Sequence, residues 1–272
     1  MTAFRVLKWA VLTVAVMVSL FPFYWMLRTA VAPPDQSLVG GIQLWPSALD
    51  LSSFARAWTQ GGLGQAMLNG LIVTGSILLL QLLTCIPAAY VLALVRFRGR
   101  GWWFAVVVAC LLVPSQATAM PLFVGMNLVG LADTRVSLVL PFMTSAFGIF
   151  LLRQQMLSIP GALIEAARAD GLGHVRIVTK VVVPLVRPAI AAFAVFSVFA
   201  HWNDYLWPLL IIRSANLATP PLALAVFEQF DKGADYAALC AGAAIVTAPV
   251  VVLFLIAQKQ FTQGLSGVEL PG

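Results

Sequence analysis

Long stretches without a charged residue dominate the pattern of this chain. One holds 39 residues between Arg56 and Arg96, and another holds 32 residues between Arg100 and Asp133. Apolar positions in these stretches run on continuously and do not alternate with polar ones, which predicts helices rather than barrel strands. Because about 20 apolar residues cross the ~30 Å hydrocarbon layer of a bilayer, such stretches are long enough to be transmembrane helices.

The pattern predicts an all-α integral membrane protein with a single transmembrane domain over residues 1–272. Six spans are expected near residues 9–27, 68–95, 102–125, 136–152, 183–210 and 237–257. The first resembles a signal peptide with a cleavage-like Ala30-Val31-Ala32, but its apolar run is longer than usual, so an uncleaved span is expected. Four prolines in or near the spans are expected to be ordinary kinks: Pro87, Pro114, Pro121 and Pro208.

Composition and charge placement support a membrane protein and suggest its orientation. Hydrophobic residues make up 61% of the chain and charged residues only 10%, against about 25% charged in soluble domains. The N-terminus and two alternate loops hold Arg5, Lys8, Arg96, Arg98, Arg100, Arg153, Arg168, Arg176, Lys180 and Arg187. By the positive-inside rule, both termini and the loop 153–188 are expected in the cytoplasm. The net charge of +6 then reflects topology, and a membrane lipid rather than a nucleic acid is the expected contact.

The sequence contains none of the common motifs for catalysis, metal binding or ATP binding. It has no phosphate-binding G-x-x-x-x-G-K-[ST] loop, no H-E-x-x-H and no G-x-S-x-G. The three cysteines lie far apart, and His174 and His201 fall on opposite sides of a predicted span. We therefore predict a non-catalytic chain with no metal site and no cofactor of its own.

The charged segment 153–188 interrupts the apolar pattern and predicts two short cytoplasmic helices. Pro160 suits the first turn of a helix that runs to Ala169. Gly171 permits the left-handed conformation that ends a helix. A second helix is expected from His174 to Val182, after which Pro184 and Pro188 bend the chain into the fifth span.

This segment resembles the EAA loop of ABC importer permeases. Glu165-Ala166-Ala167, Asp170-Gly171, Pro184 and Pro188 stand at the spacing of that family's pattern. The resemblance extends to "MLNGLIVTG" at 67–75 and to "FAHWNDYLWPLL" at 199–210, which is similar to a segment of the carbohydrate branch, the maltose and glycerol-phosphate type. This sequence departs from the family pattern at four places. Leu172 stands where many members have alanine, and His174 where an acidic or polar residue is usual. His201 replaces a small residue, and Asn69-Gly70 stands where Asn-Ser is usual.

The resemblance implies a type I importer fold in which the EAA loop couples the membrane subunit to a separate ATPase. The coupling residues would be Glu165, Ala166, Ala167, Asp170, Gly171 and Pro184. It further implies a second permease subunit as a heterodimer partner, two copies of a cytoplasmic ATPase that bind ATP and Mg²⁺, and an extracytoplasmic sugar-binding protein. The expected location is the inner or plasma membrane of a bacterium.

A polar segment inside the fifth span supplies the candidates for the transport pathway. Asp204 is an acid within an apolar segment, where such a residue normally faces a cavity or a partner. Asn203 and Tyr205 adjoin it, and aromatic faces with amide and carboxylate groups are typical of carbohydrate sites. Asn69 completes the candidate set. Asn203 and Asp204 are equally consistent with a helix cap near the outer membrane surface.

The expected function is therefore transport of a disaccharide, an oligosaccharide or an amino sugar by an ATP-driven importer, with this chain forming half of the pathway. Permeation of glycerol-phosphate esters is an alternative, as is a stand-alone secondary transporter. The secondary transporter usually shows internal repeats or charges in several spans, and the sequence offers a single intramembrane acid. An intramembrane enzyme built on His201 and Asp204 would need a second polar cluster that the spans lack.

Overall fold

A computed structural model describes residues 2–33, 43–228 and 235–266, and every regular element within those ranges is helical. The α-helices are α1 Thr2–Ala30, α2 Ser52–Gln60, α3 Leu63–Leu94, α4 Arg100–Leu111, α5 Ser115–Leu128, α6 Arg135–Val139, α7 Ala146–Met156, α8 Gly161–Ala169, α9 His174–Ile177, α10 Val183–Leu185, α11 Arg187–Trp202, α12 Leu206–Ile211, α13 Pro220–Ala223 and α14 Tyr236–Ser266. A π-helical turn, Val178–Val182, joins α9 to α10.

Three of the six predicted spans are single long helices and three are bent pairs. The stretches Phe4–Ala30, Leu63–Leu94 and Tyr236–Ile256 are each long and apolar enough to cross a membrane. The region predicted as the span 102–125 is broken, because α4 and α5 meet at 95°. The fourth span bends by 41°, and the fifth follows an 83° bend at its start. The fifth is also interrupted between Trp202 and Leu206.

The break between α4 and α5 lies at Pro114, and packing explains why. Proline has no N–H to continue a helix and disfavours helical geometry in the residue before it. Pro114 is extended, with φ −63° and ψ 134°. Pro87 lies inside α3, which continues through it, with Cys85 and Ala89 completely buried. No residue of α4 is buried. Within this chain, tertiary packing therefore keeps α3 continuous through its proline, whereas no such packing keeps α4 continuous with α5.

The chain divides into two compact units, of which the first comprises residues 1–67 and 220–249. In this unit Arg56 of α2 forms an ion pair with Asp235, at 2.9 Å between Nε and Oδ2. Asp235 also caps α14 by accepting a hydrogen bond from the backbone N–H of Ala238. Partial burial is the largest single effect and opposes ionisation of Asp235. The hydrogen bond and charge of Arg56, together with the backbone N–H groups of Ala237 and Ala238, outweigh it and lower the pKa of that carboxyl.

The second unit comprises residues 68–219 and 250–272 and contains the largest buried cluster. The cluster draws apolar side chains from α3, α7, α8, the 174–186 segment and α11: Cys85, Ala89, Tyr90, Ala93, Leu152, Met156, Ile159, Ile164, Ala167, Ile177, Val182, Val186 and Phe193. The charged insert therefore shares one core with three membrane helices, α3, α7 and α11.

A carboxylate clamp holds two loops of the second unit together. Asp133 adopts a positive φ of 56°, which aspartate tolerates better than most residues. Its carboxylate accepts hydrogen bonds from the backbone N–H groups of Arg213 and Ser214, at 2.9 and 3.0 Å, and from the Ser214 hydroxyl. The Ser214 hydroxyl, followed by the two backbone groups, lowers the pKa of Asp133.

We expect Asp133→Ala to lower the thermal unfolding temperature more than Asp133→Asn does. Asparagine tolerates the positive φ and retains an accepting oxygen, whereas alanine loses all three bonds. Because the folded-state pKa lies below the ordinary value near 4, the clamp contributes fully above that pH and its contribution is lost as the pH falls through the lowered pKa. Unfolding curves in detergent at pH 7 and pH 3 test this. Equal unfolding temperatures for the two variants at pH 7 would contradict it.

Candidate functional site

The first helix of the charged insert, α8, matches the prediction and is anchored on one face. Pro160 precedes it in an extended conformation. Ile164 and Ala167 are buried in the shared core, whereas Glu165 and Ala166 are exposed. Of the three predicted coupling residues in the Glu-Ala-Ala triplet, Glu165 and Ala166 are therefore available to a partner. Ala167 instead packs inside this chain.

A Schellman turn ends α8 at the predicted glycine. The N–H of Leu172 donates to the Ala167 carbonyl at 3.1 Å, and the N–H of Gly171 donates to the Arg168 carbonyl at 3.0 Å. Gly171 has a φ of +76°, which is strained for a residue with a side chain. Asp170 is the exposed C-cap of the helix. Gly171 therefore fixes the direction in which the chain leaves α8.

The second helix of the insert runs farther than predicted, from His174 to Leu185, because the π turn connects α9 to α10. Pro184 lies in its last turn and is exposed. The hydroxyl of Tyr90 on α3 lies 2.8 Å from Nδ1 of His174, which fixes the start of this helix on the second span. Both insert helices are therefore attached to the membrane part of the unit.

A groove of about 580 Å³ opens beside the exposed face of α8. Charged and polar groups lining it are Arg96, Arg100, Glu165, Arg168 and His174. Three guanidinium groups and one carboxylate line this groove, and such a charged concave surface suits a soluble protein partner rather than lipid.

A second cavity, of about 340 Å³, forms where two spans are broken. Its lining comes from the start of α5, from Phe142 and from the α11–α12 break: Ser115, Gln116, Thr118, Ala119, Leu122, Phe142, Ala200, His201, Asp204, Leu206 and Trp207. Irregular backbone at membrane depth is tolerated where it lines a cavity, and discontinuous helices of this kind form the substrate sites of many transporters.

A buried polar network supports this cavity. Nε2 of Gln81 donates to the Phe142 carbonyl at 3.0 Å and lies 3.2 Å from Nε2 of His201. The Ser197 hydroxyl donates to Oε1 of Gln81 at 2.7 Å. On the other side of the break, Nε1 of Trp207 donates to the Ser137 carbonyl at 2.9 Å. The α11–α12 break is thereby held to α3 and α6.

The structure separates the predicted pathway residues. Asp204 lines the cavity, where Oδ1 accepts a hydrogen bond from the backbone N–H of Trp207 at 3.3 Å. Asn203 donates to the Phe199 carbonyl at 2.8 Å, and neither Asn203 nor Tyr205 is part of the cavity lining. Asp204 therefore lies at a cavity, as the pathway interpretation predicts, and also caps a helix, as the structural interpretation predicts.

Asn69 lies away from the cavity and has a structural environment. Its side chain is fully buried. Nδ2 donates to the carbonyls of Asn216 and Ala218 at 2.8 and 3.0 Å, and Oδ1 accepts from Arg135 at 3.1 Å. Asn69 thus fastens the segment after α12 to the start of the second span.

Sequence reasoning missed Gln81, Ser197 and the polar start of α5. Ser115 and Gln116 follow Pro114 inside a run otherwise rich in apolar residues, and this interruption was the available signal. Gln81 and Ser197 are isolated polar residues in apolar helices, and nothing in the local sequence shows that they meet. Intramembrane polar residues normally face a partner, which was the general indication.

Comparison with known proteins assigns the family. Residues 85–267 match the family described as binding-protein-dependent transport system inner membrane component. The chain belongs to this family. The permease is 32% identical to the arabinooligosaccharides transport system permease protein AraQ of Halalkalibacterium halodurans, over 92% of this chain and 90% of the relative.

Two other relatives are also permease proteins of transport systems. The permease is 30% identical to the lactose transport system permease protein LacG of Rhizobium radiobacter, with 96% and 95% of the two chains covered. It is 28% identical to the sn-glycerol-3-phosphate transport system permease protein UgpE of Pectobacterium atrosepticum, with 95% and 94% covered.

The fold is that of a solved bacterial ABC transporter involved in the import of alginate, with a TM-score of 0.84, 23% identity and coverage of 95% and 96%. These comparisons confirm the predicted fold class and the prediction of a non-catalytic permease that is integral to the inner membrane. The permease works as one component of a multi-subunit transport system.

Proposed function

We propose that this permease forms half of the pathway of an ATP-driven importer for an uncharged sugar, either a disaccharide or an oligosaccharide. The composition of the broken-helix cavity carries the proposal. Its polar groups are hydroxyls, an amide, an imidazole and one carboxylate, and no lysine or arginine belongs to its lining. Such groups match sugar hydroxyls, which both donate and accept hydrogen bonds.

The glycerol-phosphate alternative has relatives in its favour, because UgpE is similar over almost the whole chain. A phosphate ester carries negative charge, however, and the cavity offers it Asp204 without a cation among the residues of that lining. Like charges in a desolvated site are unfavourable. The arabino-oligosaccharide and lactose permeases are therefore the better guides to the solute.

The proposed partners follow from the exposed face of α8 and its basic groove. A cytoplasmic ATPase, present in two copies that bind ATP and Mg²⁺, would dock on α8 through Glu165 and Ala166, with both termini of the permease on the same side of the membrane. A second permease subunit would complete the pathway, and an extracytoplasmic binding protein would deliver the sugar. The anchoring of α8 by Ile164 and Ala167 supports rigid transmission of the ATPase's movement.

The test is uptake by the reconstituted transporter. The permease, its partner permease, its ATPase and its binding protein would be assembled in proteoliposomes and offered labelled arabinotriose, lactose, N,N′-diacetylchitobiose and sn-glycerol 3-phosphate. We expect ATP-dependent uptake of a neutral sugar. Uptake of glycerol phosphate alone, or uptake by the permease without ATPase, would contradict the proposal.

We expect Asp204→Asn to raise the KM for uptake about tenfold, because a charged hydrogen-bond acceptor contributes about 1.5–3 kcal/mol to binding. The amide keeps an oxygen that can cap α12, so the fold is preserved. Asn203→Ala is the matched control, since Asn203 lies outside the cavity lining. Equal KM values for Asp204→Asn and the unmodified transporter would remove Asp204 from the pathway.

A further inference from the structure

We infer that His201 presents a single hydrogen-bond donor, Nδ1–H, to the transported solute, and that Gln81 is the positioning residue that sets this tautomer. The inference rests on the proposed function only for the identity of the solute as a sugar. The geometry around His201 supports the tautomer independently.

The orientation of the Gln81 amide is fixed by a group that can only accept. The carbonyl of Phe142 lies 3.0 Å from Nε2 of Gln81, so that atom must be the nitrogen. Oε1 then accepts from the Ser197 hydroxyl at 2.7 Å. Gln81 is 3% exposed and Ser197 is 5% exposed. Both side chains are therefore nearly closed off from bulk solvent.

The second N–H of the same amide points to the imidazole. Nε2 of Gln81 lies 3.2 Å from Nε2 of His201, so the imidazole nitrogen must accept and cannot carry a proton. A doubly protonated ring would place N–H against N–H. The neutral ring therefore carries its proton on Nδ1.

Phe142 also restrains the ring itself. The rings of Phe142 and His201 have centroids 4.9 Å apart and an interplanar angle of 52°. No described residue forms a hydrogen bond with Nδ1, because the contacts of His201 are those with Gln81 and Phe142. His201 lines the 340 Å³ cavity, so Nδ1–H is left for a solute.

The cavity thus combines a fixed donor, His201, with a fixed acceptor, the carboxylate of Asp204. The hydroxyls of a sugar match both groups, because a hydroxyl can accept from Nδ1–H and can donate to the carboxylate. A fully ionised phosphate or a carboxylate only accepts, and an ammonium group only donates, so none of them matches both protein groups. The pair therefore favours a solute that presents hydroxyls at this position over one that presents an ionised phosphate or an ammonium group there.

Solid-state ¹⁵N NMR of the assembled transporter labelled with ¹⁵N-histidine tests the tautomer directly. Signals that disappear in His201→Ala belong to His201. We expect a pyrrole-type Nδ1 and a pyridine-type Nε2. In Gln81→Glu the carboxylate must accept from Nε2–H, so the Nε2 signal should become pyrrole-type, whereas Ser197→Ala should leave the tautomer unchanged. A protonated Nε2 in the unmodified protein would overturn the inference.

Uptake of the neutral sugar that the transporter accepts tests the role in specificity. Asparagine places its amide at the position of Nδ1 and glutamine places its amide at that of Nε2. We expect His201→Asn to keep KM within about twofold, and His201→Gln and His201→Ala to raise it about tenfold, the effect of one lost hydrogen bond. Three results would overturn this role of Nδ1–H in specificity: a normal KM in His201→Gln but not in His201→Asn, an equally raised KM in all three variants, or an unchanged KM in all three. If no sugar is taken up by the unmodified transporter, the proposed function fails, and the NMR result still decides the tautomer.

Discussion

Replacing Glu165 by lysine is expected to reduce uptake roughly thirtyfold or more while the permease still inserts and assembles. Glu165 is exposed on α8, and its neighbours Ile164 and Ala167 hold that helix on the core. The substitution therefore alters the outer face without disturbing packing. Loss of an interface contact of this kind costs about 2 kcal/mol or more, and the reversed charge removes any attraction between the carboxylate and the partner. ATP-dependent uptake and ATP hydrolysis, measured on the same proteoliposomes, should become uncoupled.

Two further variants separate docking from general damage. Gln155→Lys adds a lysine at another exposed position just before α8 and should leave uptake unchanged. Gly171→Val, in contrast, forces a β-branched side chain into a φ of +76°, so it should redirect the chain after α8 and impair uptake as well. Uptake at the normal rate by Glu165→Lys would show that α8 does not dock through this residue.

The second large effect is expected at a contact between membrane helices. A Cβ added to Gly148 on α7 would lie 2.5 and 2.6 Å from the ring of Phe193 on α11 and 3.2 Å from Sγ of Cys85. Phe193 is 1% exposed and has no room to move. Gly148→Ala should therefore lower the free energy of unfolding by about 1–3 kcal/mol, the usual cost of overpacking. Thermal unfolding in detergent, followed by tryptophan fluorescence, measures it.

Gly125→Ala is the matched control for this prediction. Gly125 lies inside α5, and among the described residues no atom beyond its own stretch of helix lies within 4 Å of the added Cβ. Alanine should therefore be neutral or stabilise the helix by up to about 1 kcal/mol. Combining Gly148→Ala with Phe193→Leu should recover part of the loss, because the smaller side chain frees the space. If Gly148→Ala unfolds at the same temperature as the unmodified protein, the close packing of α7 on α11 is not maintained in the membrane.

The charged insert was predictable because its signals act over a few residues. Pro160 and Gly171 set the ends of α8 by their own backbone preferences, and both observed ends match the predicted positions. The outward position of Glu165 follows from helical periodicity once Ile164 and Ala167 are inside. The inward position of Ala167 was not apparent, since an alanine carries no hydrophobic signal strong enough to tell which face it occupies.

The broken-helix cavity was only partly predictable, because its parts meet across long distances in sequence. Asp204 was identified as an intramembrane acid, but its neighbours in the lining, such as Ser115, lie some ninety positions away. Pro114 and Pro87 are the same residue type in apolar surroundings, and one breaks its helix while the other does not. Tertiary packing decides the difference, and packing has no local sequence signal. Asn69 likewise contacts residues 216 and 218, which no pattern around position 69 indicates.

The break between α4 and α5 also constrains how the protein is made. With 12 and 14 residues, these helices are about 18 and 21 Å long, and each is shorter than the ~30 Å hydrocarbon layer. Neither half is a self-sufficient signal for the insertion machinery, and irregular backbone such as this bend is tolerated at membrane depth only where protein or a water-filled cavity adjoins it. Integration of the third segment must therefore wait for neighbouring helices to shelter it, which makes its insertion a late and cooperative event in biogenesis.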